Sequence, residues 1–204
     1  MSDEEAIPSL RSEFAQLTRQ RIKAAAIRSF QREGYAAATV RQIAKRAGTT
    51  HTTFYQYFDG KAEVVVALSR DAEPSLVRVA RELDECLARP SRAAVRAWLD
   101  GYAAMWREHH VIFDAYWQAL GERSVSKDLF PAARRMADQV TCVLAGLDGE
   151  ALEQRELALS LLFFYIYQTF MISSLPDVEH DSGMLLESLA DLIWTSVKDW
   201  TGAA

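Results

Sequence analysis

Residues 39–58 read TVRQIAKRAGTTHTTFYQYF, and their punctuation decides how the chain is organised. Thr39 has the hydroxyl of a helix cap, and the residues after it place Val40, Ile43, Ala44 and Ala47 on one side of a short helix, Val40–Ala47. Gly48 permits the left-handed backbone of a tight corner. Thr49 or Thr50 can cap a third helix running to about Tyr57, with Phe54, Tyr57 and Phe58 as its apolar side. The small Ala44, four residues before Gly48, lets the second of these helices approach the first closely. Two short helices joined at a glycine are a helix-turn-helix pattern. In that motif the later helix lies in the DNA major groove. His51, Thr52, Thr53, Tyr55 and Gln56 then offer donors and acceptors to phosphates and base edges.

Outward from this stretch the chain remains helical in pattern. Ser9–Glu33 repeats apolar residues at Leu10, Phe14, Leu17, Ile22, Ala26 and Phe30, and Gly34-Tyr35 stops it. Asp59-Gly60 is a turn, and Lys61 opens a helix running toward Leu87. Beyond the break at Pro90-Ser91, helices are expected at Ser91–His109, Val111–Gly121, Val125–Leu147, Glu150–Leu175 and Gly183–Trp200, punctuated by Gly121, Asp148-Gly149 and Pro176. Nothing alternates as a strand does, and no segment repeats. The expectation is an all-α fold of about nine helices. Residues 9–62 hold the helix-turn-helix as a candidate DNA-binding domain, and residues 63–204 form a second, helical domain.

The segment Thr18–Leu68 resembles the DNA-binding domain of TetR/AcrR-family transcriptional regulators. Phe30-x-x-x-Gly34-Tyr35, Thr39-Val40-x-x-Ile43-Ala44-x-x-Ala47-Gly48, Phe54-Tyr55-x-Tyr57-Phe58 and Lys61 carry the likeness. It covers about a quarter of the chain. The resemblance implies that Thr39 caps the second helix and touches a phosphate. It implies backbone contacts from Thr50, Thr53, Tyr55 and Tyr57, base-edge contacts from Thr50, His51, Thr52 and Gln56, and a phosphate contact from Lys61. Many members carry a small or basic residue and glycine where this chain has His51-Thr52, so their sequence preference does not transfer. Two roles stay open: Tyr57 is either a contact or a core residue with a wet hydroxyl, and His51 is either a DNA contact or a solvated surface group.

Charge divides the chain in the same place. Residues 1–61 hold ten Lys and Arg against six Asp and Glu, a net of +4; residues 62–204 hold 13 against 22, a net of -9. A basic third joined to an acidic remainder fits one part that binds a polyanion and another with a different task. The 204 residues are 50% hydrophobic and 25% charged, with 9 glycines and 5 prolines. That balance excludes a disordered, collagen-like or disulfide-stapled class. Cys86 and Cys142 have no ligand spacing and read as small buried hydrophobes in a reducing cytoplasm. The acidic MSDEEAIPSL start has no apolar signal core. Leu157–Leu175 lacks any charge over 19 residues and reads as a helix inside the protein rather than a membrane span.

The acidic part is dense in aromatic side chains. Trp98, Tyr102, Trp106, Phe113, Trp117, Phe164, Tyr167 and Gln168 are the expected lining of an apolar pocket with few polar handles. The resemblance implies a small hydrophobic effector of unknown identity there, which makes residues 63–204 an effector-binding and dimerisation domain. Leu185, Leu189, Leu192, Ile193, Val197 and Trp200 form a stripe that, with the preceding apolar helix, suits a homodimer interface. No GxGxxG, phosphate-binding loop, GxSxG or HExxH is present. Adjacent His109-His110 diverge on a helix and read as a helix end. No catalytic residue, metal site or cofactor is expected. The combined reading is a one-component repressor, dimeric on a palindromic operator and released by its effector. The alternatives are an activator of the same kind, or a ligand-binding helical protein with little DNA binding.

Overall fold

A computed structural model describes residues 9–127, 129–174 and 181–201. Among them the chain forms nine α-helices and no strand: α1 Leu10–Ala37, α2 Val40–Ala47, α3 His51–Tyr55, α4 Lys61–Ala88, α5 Arg92–Gln118, α6 Arg123–Ser126, α7 Leu129–Ala137, α8 Gly149–Ser173 and α9 Ser182–Val197. A 3-10 turn, Lys198–Trp200, follows α9. The expected all-α fold is found. The acidic first eight residues and the expected stop at Pro176 lie outside the described residues.

Local chemistry accounts for the N-terminal boundaries. Gly34 sits at φ 73°, ψ 161° and kinks α1 before its last turn. Thr39 and Gln42 form a reciprocal cap on α2: the Gln42 N–H donates to Thr39 Oγ1, and the Thr39 N–H donates to Gln42 Oε1. Gly48 ends α2 in the left-handed region, at φ 68°. Thr50, not Thr49, caps α3 by accepting from the Thr53 N–H. This third helix is shorter than expected, so Gln56 and Tyr57 lie in the turn that follows it.

Three expectations beyond residue 90 are corrected. Ser91–His109 and Val111–Gly121 are one helix, α5. Its interior from Tyr102 onward has neither glycine nor proline, and the two histidines are ordinary mid-helix residues. Val125–Leu147 is not one helix but α6, α7 and a run of turns. There Asp84 of α4 replaces helical partners: its carboxylate accepts from the Cys142 N–H at 2.7 Å and from Thr141 Oγ1 at 3.3 Å. Pro131 falls in the first turn of α7, where its missing N–H costs no helical bond. The stripe expected on the last helix mostly turns inward: Leu189, Ile193 and Val197 are buried in the core, while Leu192 is exposed. Cys86 and Cys142 are half-buried rather than sealed. Burial and the Asp84 contact push the Cys142 thiol up to about 12, so neither its exposure nor its ionisation favours reaction.

Two hydrophobic cores share two helices. The N-terminal core gathers Ile22, Ala25, Phe30, Ile43, Phe54 and Phe58, with Val64, Val65 and Leu68 from the start of α4 and Ile112, Tyr116 and Val125 from beyond. The second core gathers the rest of α4 and α5 with α7, α8 and α9, rich in Trp98, Tyr102, Trp106, Phe113, Phe163 and Phe170. No chain break separates the two at residues 62 and 63, because α4 runs through both. Pro74 lies inside α4. It has no N–H to return to the Arg70 carbonyl one turn earlier.

Candidate nucleic-acid interface and effector cavity

The helix-turn-helix is held from behind by ion pairs and hydrogen bonds to α1. Arg46 of α2 grips Glu33 with both guanidinium nitrogens, at 2.6 and 3.1 Å, and donates to Ser29 Oγ at 2.7 Å. That contact holds the Glu33 carboxyl below its usual range. Arg19 donates to the Tyr57 carbonyl at 2.8 Å and lies 4.1 Å from the centre of the Phe58 ring. These interactions consume cations on the inner side of the motif and fix the outer side.

On the outer side Thr39, Thr50, His51, Thr52, Tyr55 and Gln56 are all exposed, and Thr53 is half-buried. The Thr50 and Thr53 hydroxyls bond each other at 2.8 Å. The His51 and Tyr55 rings meet edge to face, 4.9 Å apart, one turn from each other. The structure thus leaves most of the expected DNA-contacting side chains exposed at the start of α2, on α3 and in the turn after it. Tyr57 is half-buried and packs against the N-terminal core. Lys61 points inward. Its ammonium donates to the carbonyls of Tyr35, Ala36 and Ala38 at 2.6, 3.1 and 3.2 Å, which uses all three donors of a lysine. It also lies over the Tyr35 ring. The three carbonyls it satisfies are those left open where Gly34 breaks α1.

Sequence reasoning missed two cations. Arg41 and Lys45 stand one turn apart on the exposed side of α2, with no ion pair among the described residues. The signal was partial: Arg41, Lys45 and Arg46 all lie off the apolar face of α2, and only the fold shows Arg46 taken up by Glu33.

The second site is a cavity of about 110 Å³ between α4, α5, α7 and α8. Of the eight expected pocket residues, Tyr102, Phe113, Phe164 and Tyr167 line it. Trp98, Trp106, Trp117 and Gln168 do not. Trp98 is buried with its indole N–H committed to the Val79 carbonyl at 2.8 Å. Trp106 donates to Ser174 Oγ and packs against Phe113, Tyr167 and Phe170, so it supports the wall from behind. Trp117 packs against the core from its partly exposed position. Leu76, Phe163 and Met136 complete the apolar lining, and these were not anticipated. Tyr167 donates its hydroxyl to the Phe113 carbonyl at 3.0 Å. The charged side chains at the cavity are Arg70, Glu73 and Arg135, and the last two pair at 2.7 Å. Among the described residues no group of histidine, cysteine or carboxylate side chains could hold a metal.

The N-terminal domain is tied to this body directly. The Tyr35 hydroxyl donates to Glu122 Oε1, and the Ala36 N–H donates to Gln118 Oε1 at 3.4 Å. Burial and the Glu122 carboxylate both push the Tyr35 phenol upward, so it stays a donor.

Residues 22–68 match the family described as bacterial regulatory proteins, tetR family. The HTH-type transcriptional regulator SrpR of Pseudomonas putida is 46% identical over 54 residues, 26% of this chain and 25% of that protein. The chain therefore spans about a quarter of that relative's length, and 40% of the uncharacterized regulator TtgW from the same species. Among solved structures, the TetR-family regulator PfmR of Thermus thermophilus superposes with a TM-score of 0.57 at 19% identity, over 86% of this chain and 97% of that one. The fatty acid degradation regulator FadR of Bacillus halodurans gives 0.54 at 16% identity, over 87% and 94%. At such identities the structural matches establish the fold.

Proposed function

With a TetR-family DNA-binding domain at its N-terminus and that family's fold over most of its length, the protein is, we propose, a one-component transcriptional repressor of the cytoplasm. It binds a palindromic operator as a homodimer and is released by a small hydrophobic effector. The observation that carries this reading is the outer surface of the helix-turn-helix. His51, Thr52, Tyr55 and Gln56 stand exposed on or just after α3, with Arg41 and Lys45 exposed on α2 of the same motif. Hydroxyl and amide groups read base edges and phosphates, and the two cations supply the salt-dependent attraction. Lys61 serves the interface by holding the end of α1 rather than by reaching a phosphate.

A dimer is supported by the outer face of α8. Leu157, Leu161, Tyr165 and Ile172 are exposed along one side of it, Leu161 by 49% and Tyr165 by 45%. Met184 and Leu192 of α9 are exposed as well. α8 is long and apolar enough to cross a membrane by length and composition. Its inner face, through Leu159, Leu162, Phe163, Ile166 and Phe170, is nevertheless committed to the C-terminal core. Covering the outer face with a second copy places two recognition helices on one DNA duplex, as a two-fold operator requires.

Selection of genomic fragments by the purified protein at about 0.15 M salt, where nonspecific binding is weak, tests the reading. A recovered palindrome supports it. Replacing both Arg41 and Lys45 with alanine should then lower the slope of log affinity against log salt by about 0.9 per charge removed. No enriched sequence, or an unchanged salt slope, would refute the assigned interface.

A further inference from the structure

Tyr102 is 2% exposed and lies on the wall of the cavity between α4, α5, α7 and α8. Its ring is fixed by Trp98 on one side, at 5.6 Å, and Phe170 on the other, at 5.0 Å. The other hydroxyls of that wall have partners. Tyr167 donates to the Phe113 carbonyl, Tyr116 to the Val125 carbonyl, and Ser69 to the Val66 carbonyl. The Tyr102 hydroxyl alone among these has no hydrogen bond to any described residue. Its oxygen is not sealed off in the core but borders the cavity space, so the donor is free for whatever enters there.

Size and charge narrow what that something is. A cavity of about 110 Å³ is below the range of drug-sized pockets and near that of an engineered apolar cavity of about 150 Å³ that takes up benzene. The charged groups beside it do not call for an ionic ligand: Glu73 and Arg135 neutralise each other, and Arg70 is exposed to water. We propose that the cavity takes a neutral, single-ring-sized molecule carrying one hydrogen-bond-accepting oxygen, which the Tyr102 hydroxyl reads while Phe113, Phe163, Phe164 and Met136 enclose the apolar body. The inference rests on the cavity being the effector site proposed above. Burial pushes the Tyr102 phenol upward, which keeps it a donor at any physiological pH. It therefore favours an oxygen that accepts, as in a ketone or an ester.

Calorimetry on the full chain with acetophenone and with ethylbenzene separates the possibilities. The two probes match in size and differ in the carbonyl oxygen. Acetophenone should bind about tenfold tighter, the worth of one neutral hydrogen bond. Tyr102→Phe should erase that preference while keeping ethylbenzene binding unchanged. The unliganded Tyr102→Phe protein should melt at the same temperature, because no hydrogen bond within the protein is lost; a lower melting temperature would reveal a structural partner and overturn the proposal. Equal binding of the two probes, or a preference that survives in Tyr102→Phe, would overturn the hydroxyl's role and leave the cavity as an effector site. Binding of neither probe would overturn both.

Discussion

The two cores of this molecule differ in how tightly they are filled. Around Phe54 the N-terminal core uses many small residues, Ala25, Ala26, Ala44 and Ala47 among them, so that three helices approach closely. The polar groups around it are answered: Thr39 by Gln42, Arg46 by Glu33 and Ser29, Lys61 by three carbonyls. The C-terminal core holds fewer alanines, adds Met105, Met136 and Met171 to its aliphatic and aromatic side chains, and leaves a space that they do not fill. A surface that must present fixed side chains to DNA needs a rigid support. A site that must admit a molecule needs a wall with slack in it. The difference between the cores fits the two requirements that the proposed function sets.

Substitutions can break or sharpen that comparison. The largest effect is expected from Phe54→Ala. Its side chain is 0% exposed at the centre of the tight core, and the cavity left behind should cost about 3–5 kcal/mol in denaturant unfolding. A loss below about 1 kcal/mol would mean that the N-terminal core relaxes as freely as the other. Ala44→Leu tests the same rigidity from the other side. Overpacking the closest approach of α2 should cost about 1–3 kcal/mol and abolish operator binding in a gel-shift assay. Thr39→Ala removes the reciprocal cap of α2 and should cost about 1 kcal/mol, with little change in the C-terminal core as read by near-ultraviolet circular dichroism of its tryptophans. The smallest effect belongs to Ala133→Leu, on the cavity wall. Added methyl groups there enter empty space, so stability should move by less than about 0.5 kcal/mol while ligand binding is lost. If Ala133→Leu proved as damaging as Ala44→Leu, the contrast between the cores would be gone.

The same contrast explains what the amino-acid sequence revealed. Helix boundaries between residues 34 and 61 were legible because their causes are local: a cap at Thr39, a left-handed corner at Gly48, a cap at Thr50, a turn at Asp59-Gly60. The segment 138–147 was not legible, because Asp84, more than fifty residues earlier, supplies acceptors to the turns that follow α7. Periodicity identified the aromatic faces of α5 and α8 but not which part of each face meets a void. Tyr102, Phe113, Phe164 and Tyr167 therefore reach the cavity, while Trp98 and Trp106 lie behind it. Lys61 carried a motif signal, yet its inward turn depends on carbonyls exposed by the kink at Gly34, a three-dimensional coincidence that spacing does not encode.

Pro74 in α4 has a mechanical consequence. A helix bends most readily where one rung of its hydrogen-bond ladder is missing, and this gap falls between Glu73 and Leu76, both on the cavity wall. Lys61, at the other end of the same rod, lies thirteen residues away, about 20 Å at helical rise. A tilt of about 5° at the proline displaces that end by about 2 Å by simple leverage over the same helical length. A small deflection beside the void is thus converted, by length alone, into a displacement of the N-terminal helices.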